Sequence, residues 1–384
     1  MQFRGFGKLD WKVSALGFGC MRLPTLDGNI LGRAIDEPKA IRIIRRAIDQ
    51  GVNYLDTAYP YHDGASEVVL GKALADGYRA RVKLATKFPV FAAHTAADFD
   101  RILAEQLARL QTDHIDFYLL HALDRRRWRD TVLPLDLLKS AEAALRDGRI
   151  GHFGFSFHDD AEAFPVILDA YDRWEFCQIQ YNYMDIANQA GVAGLKLAAS
   201  RGLAVIVMEP LLGGRLANPP AAIRELFDNQ GSVRSPADWA LQWIWDQPEV
   251  ATVLSGMGEP EQVEANLESA RRSAVGSFGP ADQDFIARLR ARYRERTAID
   301  CTKCNYCLPC PSGVNIPGNF EVYNDAFLHD DARGARDFYR FCVPPESQAS
   351  ACTACHECED KCPQRIPVSE WMPRVHAFLS AQNA

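Results

Sequence analysis

The strongest constraint on this chain is an eightfold alternation. Short runs rich in β-branched and aromatic residues, at 16–19, 53–56, 82–87, 115–121, 150–156, 176–181, 204–208 and 250–255, are each followed by a longer stretch of helical periodicity. In the stretch beginning at Pro38, Ile41, Ile44, Ala47 and Ile48 make one apolar stripe; over 98–110, Ile102, Leu103, Leu107 and Leu110 make another. Gly51, Gly148 and Gly202 fall just after a helical pattern and just before a strand, where αβ connections place glycine. Repeated strand–helix units build a parallel sheet, and eight of them close it. The expected fold class is α/β, a (β/α)₈ TIM barrel. Ahead of the first strand, 3–8 and 11–14 flank Leu9 and Asp10 and predict a hairpin that plugs the barrel's bottom.

Such a barrel takes up roughly 250 to 300 residues, and this chain has 384. The expected division is a barrel over 1–297 and a small domain with a C-terminal helix over 298–384. A net charge of −7 offers no broad basic face to release phosphate counterions, so neither nucleic acid nor anionic lipid is an expected partner. No apolar run approaches membrane-spanning length and no secretion signal is evident, which predicts a cytoplasmic protein acting on a small molecule.

Nine of the eleven cysteines lie between Cys301 and Cys362. With no export signal they read as metal ligands before disulfides. Cys301, Cys304, Cys307 and Cys310 are spaced by two residues and end in Pro311; Cys352, Cys355, Cys358 and Cys362 end in Pro363. The pattern resembles a bacterial-type ferredoxin module with two [4Fe–4S] clusters. The resemblance implies crossed ligation: Cys301, Cys304, Cys307 and Cys362 for one cluster, Cys352, Cys355, Cys358 and Cys310 for the other. Only two residues precede Cys310 where three are usual, and 41 residues separate it from Cys352, with helix expected near 318–327 and 331–341. Zinc held by four thiolates is the competing reading, and Cys342 is expected to be a bystander.

A barrel of this kind carries its chemistry at the C-terminal ends of its strands. Asp56, Lys87 and His121 end three consecutive strands, and Tyr61 follows Asp56 in its loop. These residues, in LDTAYPY (55–61), GASE (64–67), TK (86–87) and LLH (119–121), resemble the aldo-keto reductase family over about residues 1–297. The resemblance implies an NAD(P)H-dependent reductase of small carbonyl compounds in which Tyr61 donates the proton, Lys87 lowers its pKa, Asp56 holds Lys87 and His121 orients the carbonyl.

It also implies cofactor contacts. Gly19, Cys20 and Met21 would lie beside the nicotinamide ribose, while Ser156 and Gln178 would hold the carboxamide. Phe157 replaces the Asn often found after that Ser. Met208 occupies the place where many relatives stack a Tyr, followed by Leu211 and Gly213 near the pyrophosphate. Ser255, Gly256, Gln262 and Asn266 would clamp the adenosine phosphate. Glu259 and Glu261 make that clamp acidic, and a 2′-phosphate would be repelled unless Arg271 or Arg272 folds back, so the choice between NADH and NADPH is open. A redox protein docking at the ferredoxin segment is a further expected partner. The alternative reading is a nicotinamide-binding sensor or electron-transfer protein with little reductase activity.

Overall fold

The computed structural model describes residues 1–29 and 32–382. By density of internal contacts these fall into two units: Met1–Ala217 with Arg234–Gly279, and Asn218–Val233 with the chain from Pro280 onward.

The first unit is the barrel. Its strands are β3 (Leu16–Gly19), β4 (Tyr54–Asp56), β5 (Lys83–Phe88), β6 (Ile115–Leu123), β7 (Ile150–Phe157), β8 (Phe176–Gln180), β9 (Ala204–Met208) and β10 (Val250–Gly256), all parallel and closed by the pairing of β10 with β3. Every expected strand is present, with bounds moved by at most two residues. Helices Glu37–Asp49 and Ala97–Leu110 carry the stripes read from the sequence, and Ile43, Ile44, Ala47, Ile48, Ile102, Leu103 and Leu110 are buried.

The hairpin ahead of the barrel is β1 (Phe3–Phe6) with β2 (Leu9–Ser14). Its turn is therefore Gly7-Lys8, two residues before the expected Leu9-Asp10. Gly7 has a φ of +56°, and a Cβ there would come within 2.6 Å of the Ala204 nitrogen and 2.8 Å of the Gly202 carbonyl oxygen, so only glycine lets the turn press on the start of β9. Phe6 and Val13 are fully buried in a cluster with Tyr54, Phe117, Phe176 and Ala204. The hairpin thus seals the end of the barrel where strands begin and leaves the end where they finish.

In the second unit, Asn315 and Asp331 cap helices Ile316–Leu328 and Ala332–Cys342, each accepting a backbone N–H three residues on. These helices and Val368–Leu379 enclose a core of Phe320, Tyr339, Met372, Val375 and Leu379. The cysteine-rich segment consequently has an apolar core of its own. Helix Pro280–Arg294 groups with this unit, as does Ala221–Asp228. Among the described residues no helix is long and apolar enough to cross a membrane.

Candidate active site

The parallel register brings the expected residues to one mouth. Gly19 pairs with Asp56 and Gly256, Asp56 with Ala85, Lys87 with Leu119, Ser156 with Gln178, and Gln180 with Met208. Side chains remote in sequence therefore share the rim where the strands end.

Lys87 is the centre of the polar constellation and is buried. Its Nζ donates to Asp56 Oδ1 at 2.6 Å, to the Thr57 carbonyl at 2.8 Å and to the Tyr61 hydroxyl oxygen at 3.4 Å. It also lies 4.9 Å from the Tyr61 ring centre. Burial works against the ammonium, yet Asp56 and Tyr61 outweigh it and hold the Lys87 pKa above its usual value. Burial pushes the Tyr61 hydroxyl up more than Lys87 pulls it down, and Asp56 adds to the rise. The net lowering expected from the sequence is thus absent, because burial outweighs the pull of Lys87.

His121 meets the Tyr61 ring edge-on at 5.8 Å between centres. Its Nδ1 is buried with no hydrogen-bond partner, and burial, reinforced by Lys87, keeps its pKa well below 6.5. The ring is neutral at physiological pH. Beneath these groups Glu67 accepts from Thr86 Oγ1 and Gln106 Nε2, both at 2.7 Å, and from Arg109 at 3.2 Å. Gln106 Nε2 also donates to the Lys87 carbonyl at 3.1 Å, which fixes the strand bearing Lys87.

The expected cofactor residues line the same rim in different states of engagement. The Gln178 Oε1 atom is buried and unpartnered. Ser156 Oγ accepts from the Ala122 N–H at 2.8 Å and keeps its own proton to donate. Cys20 is buried, and its carbonyl receives the Ser66 hydroxyl at 2.9 Å. Met21 and Met208 are half-buried, while Leu211 leads into a turn in which Gly213 has a φ of +69°. Asn266 Nδ2 donates to Ser255 Oγ at 3.0 Å. Gln262 spends its carbonyl on the N–H groups of Gly258 and Glu259, capping helix Pro260–Arg271.

Two cations at this rim escaped the sequence reading. Arg22 pairs with Glu209 at 3.1 Å, and a Cβ on Gly213 would meet its Nη2 at 3.3 Å. Lys39 holds both oxygens of Glu259 at 2.6 Å. Arg271 and Arg272 do not fold back to the clamp: they engage Glu268, Gln50 and Asp238.

In the second unit the eight clustered cysteines border two hollows, each with about 350 Å³ of atom-free space open to solvent. Cys301, Cys304, Cys307 and Cys362 line one, and Cys310, Cys352, Cys355 and Cys358 line the other. Cys342 borders neither. Among the described residues no three His, Cys, Asp or Glu side chains are gathered closely enough to hold a single metal ion. Tetrahedral zinc, with Zn–S of about 2.3 Å, needs its sulfurs tightly gathered, whereas thiolates around a cubane stand farther apart.

Comparison with known proteins agrees with this architecture. The model of the aldo/keto reductase family matches residues 15–275, and that of the 4Fe-4S dicluster domain matches residues 300–366. The aldo-keto reductase YhdN of Bacillus subtilis is 33% identical over 316 residues, covering 70% of this chain and 88% of its own. An uncharacterised oxidoreductase of the same organism, YrpG, is 29% identical, covering 56% and 68%. Among solved structures, the aldo-keto reductase AKR11C1 from Bacillus halodurans in its holo form is 28% identical with a TM-score of 0.62, covering 75% of this chain and 96% of its own. The barrel closed by its hairpin and the match over most of its length lead to one conclusion: this chain belongs to the aldo/keto reductase family and is an oxidoreductase carrying a C-terminal 4Fe-4S dicluster domain.

Proposed function

We propose that the protein reduces a small carbonyl compound with NAD(P)H, Tyr61 handing the proton to the nascent alkoxide. The observation that carries this reading is the Tyr61 oxygen held by Lys87, itself locked to Asp56, beside an unpartnered nitrogen of His121. Because Lys87 occupies a lone pair of Tyr61, the phenol proton is left to point outward. His121, neutral, steadies the carbonyl oxygen, while the charged Lys87 stabilises the phenolate formed as the proton leaves. The nicotinamide, when bound, supplies the hydride. The rim fits it: the lone Gln178 carbonyl oxygen suits a carboxamide N–H, the Ser156 hydroxyl can serve the other end of that amide, Met208 can pack on the ring, and Arg22 with the Gly213 turn suits a pyrophosphate. The direct experiment is an anaerobic steady-state assay of the full chain with NADH or NADPH against a panel of aldehydes, ketones and quinones. Turnover of none of them would refute the reading.

The raised Tyr61 and lowered His121 set the pH dependence. Reduction needs Tyr61 protonated, a condition lost only as pH rises through a value above the ordinary tyrosine value. It needs His121 neutral, a condition lost only as pH falls below the ordinary histidine value. Log kcat/KM should therefore stay level between about 6.5 and about 10. An alkaline midpoint near neutrality would contradict it.

The clamp is proposed to be nearly indifferent between cofactors, since Lys39 neutralises Glu259 and is itself neutralised. Glu259→Gln should release the Lys39 ammonium for a 2′-phosphate and raise the NADPH-over-NADH affinity ratio by roughly tenfold. Fluorescence titration of both cofactors measures it, and an unchanged ratio would place Lys39 outside the clamp.

Each hollow of the second unit is proposed to hold one [4Fe–4S] cluster on its four thiolates, as the expected crossed ligation has it. Such a group, when bound, passes single electrons, whereas carbonyl reduction moves a pair as hydride. The clusters are therefore assigned to exchange with a separate redox partner, and the functional boundary is placed near residue 297. The full chain is proposed to work in the cytoplasm.

A further inference from the structure

Beyond Tyr61 and His121 the mouth continues along β6 and its loop in a way the reaction itself does not require. Phe91, half-exposed on the loop after β5, lies 6.1 Å from the His121 ring centre, and the Arg127 guanidinium stands 5.9 Å from the Phe91 centre. Phe91 thus neighbours both the His121 ring and this cation. Arg127 is anchored by its Nη1 alone, which donates to the Ala122 carbonyl at 2.7 Å and meets Asp124 Oδ2 at 2.9 Å. Asp124 in turn spends Oδ1 on the Arg127 backbone N–H at 2.6 Å, capping the short helix that carries the arginine. The Nη2 and Nε edge of the fork has no protein partner among the described residues. A planar fork held at one corner is prepared to bind a carboxylate with its other edge.

His158 completes the feature. Its backbone N–H is fixed to the Leu123 carbonyl at 2.9 Å. Burial lowers its pKa to about 4, with Arg127 and Lys87 contributing. As a neutral imidazole it offers an N–H. The field of Lys87 and Arg127 also reaches His121.

We infer that Arg127, assisted by His158, forms an anion subsite, and that the substrate is a carbonyl compound bearing a carboxylate or like anion on an apolar spacer lying over Phe91. The inference rests on the reductase reading above and names its substrate class. The test is the pair 4-carboxybenzaldehyde and its methyl ester with the full chain. The acid should exceed the ester in kcat/KM by at least about tenfold, the worth of one charge-assisted contact. Arg127→Gln should bring the ratio close to one, and Arg127→Lys should restore part of it, which a merely structural loss would not do. A wild-type ratio near one, or a ratio indifferent to Arg127→Gln, overturns the subsite. If neither aldehyde is reduced, the reductase reading fails for this class, and binding decides the subsite alone. Terephthalate should then quench bound reduced nicotinamide more tightly than dimethyl terephthalate, in wild type and not in Arg127→Gln. Equal affinities overturn it.

Discussion

Replacing Tyr61 by phenylalanine is expected to cut carbonyl reduction by roughly 10²- to 10⁴-fold while leaving the affinity for reduced nicotinamide nearly unchanged. Within the constellation of Asp56, Tyr61, Lys87 and His121, the hydroxyl is the group whose proton is free to leave toward a bound carbonyl. Lys87 cannot replace it: its pKa is raised, and its protons are directed at Asp56 and the Thr57 carbonyl. His121 cannot either, being neutral with its pKa held low. The phenyl ring would keep the packing against Lys87 at 4.9 Å, so the constellation should stay in place. Stopped-flow reduction together with cofactor titration separates chemistry from binding. A Tyr61→Phe enzyme with near-normal turnover would sink the proton-donor assignment, and one that fails to bind nicotinamide would show that the hydroxyl serves the cofactor instead.

The second large effect concerns iron. Anaerobically prepared protein should carry about eight irons and eight sulfides, as two cubanes require. Crossed ligation makes a sharper demand on double variants, because Cys310 lines the hollow of Cys352, Cys355 and Cys358. Cys310→Ser combined with Cys355→Ser strikes that hollow twice and should leave about four irons. Cys310→Ser combined with Cys304→Ser strikes both hollows and should lose nearly all. The reverse order of iron contents would mean that each group binds its own cluster, and zinc in place of iron would refute the cubanes outright. Since three helices of this unit, Ile316–Leu328, Ala332–Cys342 and Val368–Leu379, share an apolar core, the doubles should remain helical by circular dichroism even where they lose iron.

The barrel was legible because its pattern is local: a strand buried on both faces and a helix with one apolar stripe are each written within a dozen residues. The constellation around Lys87 was legible for a related reason. A residue's place at the end of a strand follows from the strand, so Asp56, Lys87 and His121 could be set on one rim before any contact was known. Pairings across the rim were not. Arg22 meets Glu209 from 187 residues away and Lys39 meets Glu259 from 220. A lone charge at a strand end carries no mark of which opposite charge the closed barrel will bring to it. The misplaced hairpin turn has a local cause. Leu9-Asp10 has turn-like chemistry in Asp10, but Gly7 is the residue that must approach the Gly202 carbonyl, and that demand lies in the tertiary packing. The balance at Tyr61 was illegible too, since the effect of Lys87 depends on how far Asp56 neutralises it and how deeply all three are buried.

The hairpin that seals the barrel also dictates an order of events during synthesis. It leaves the ribosome well before the surfaces that receive it: Gly7 presses on Ala204, the Ala15 carbonyl accepts from the Trp245 indole, and β3 finds its neighbour in β10. Until that last strand appears, β3 has one open edge and Phe6 and Val13 have no complete socket. The nascent chain must therefore carry an unsealed, partly apolar sheet through most of its elongation, a state exposed to edge pairing and to capture by chaperones. Closure must wait for β10, which joins the two ends of the barrel sequence. Deleting the first fourteen residues would consequently remove the piece on which that step converges, even though none of them reaches the mouth where the chemistry takes place.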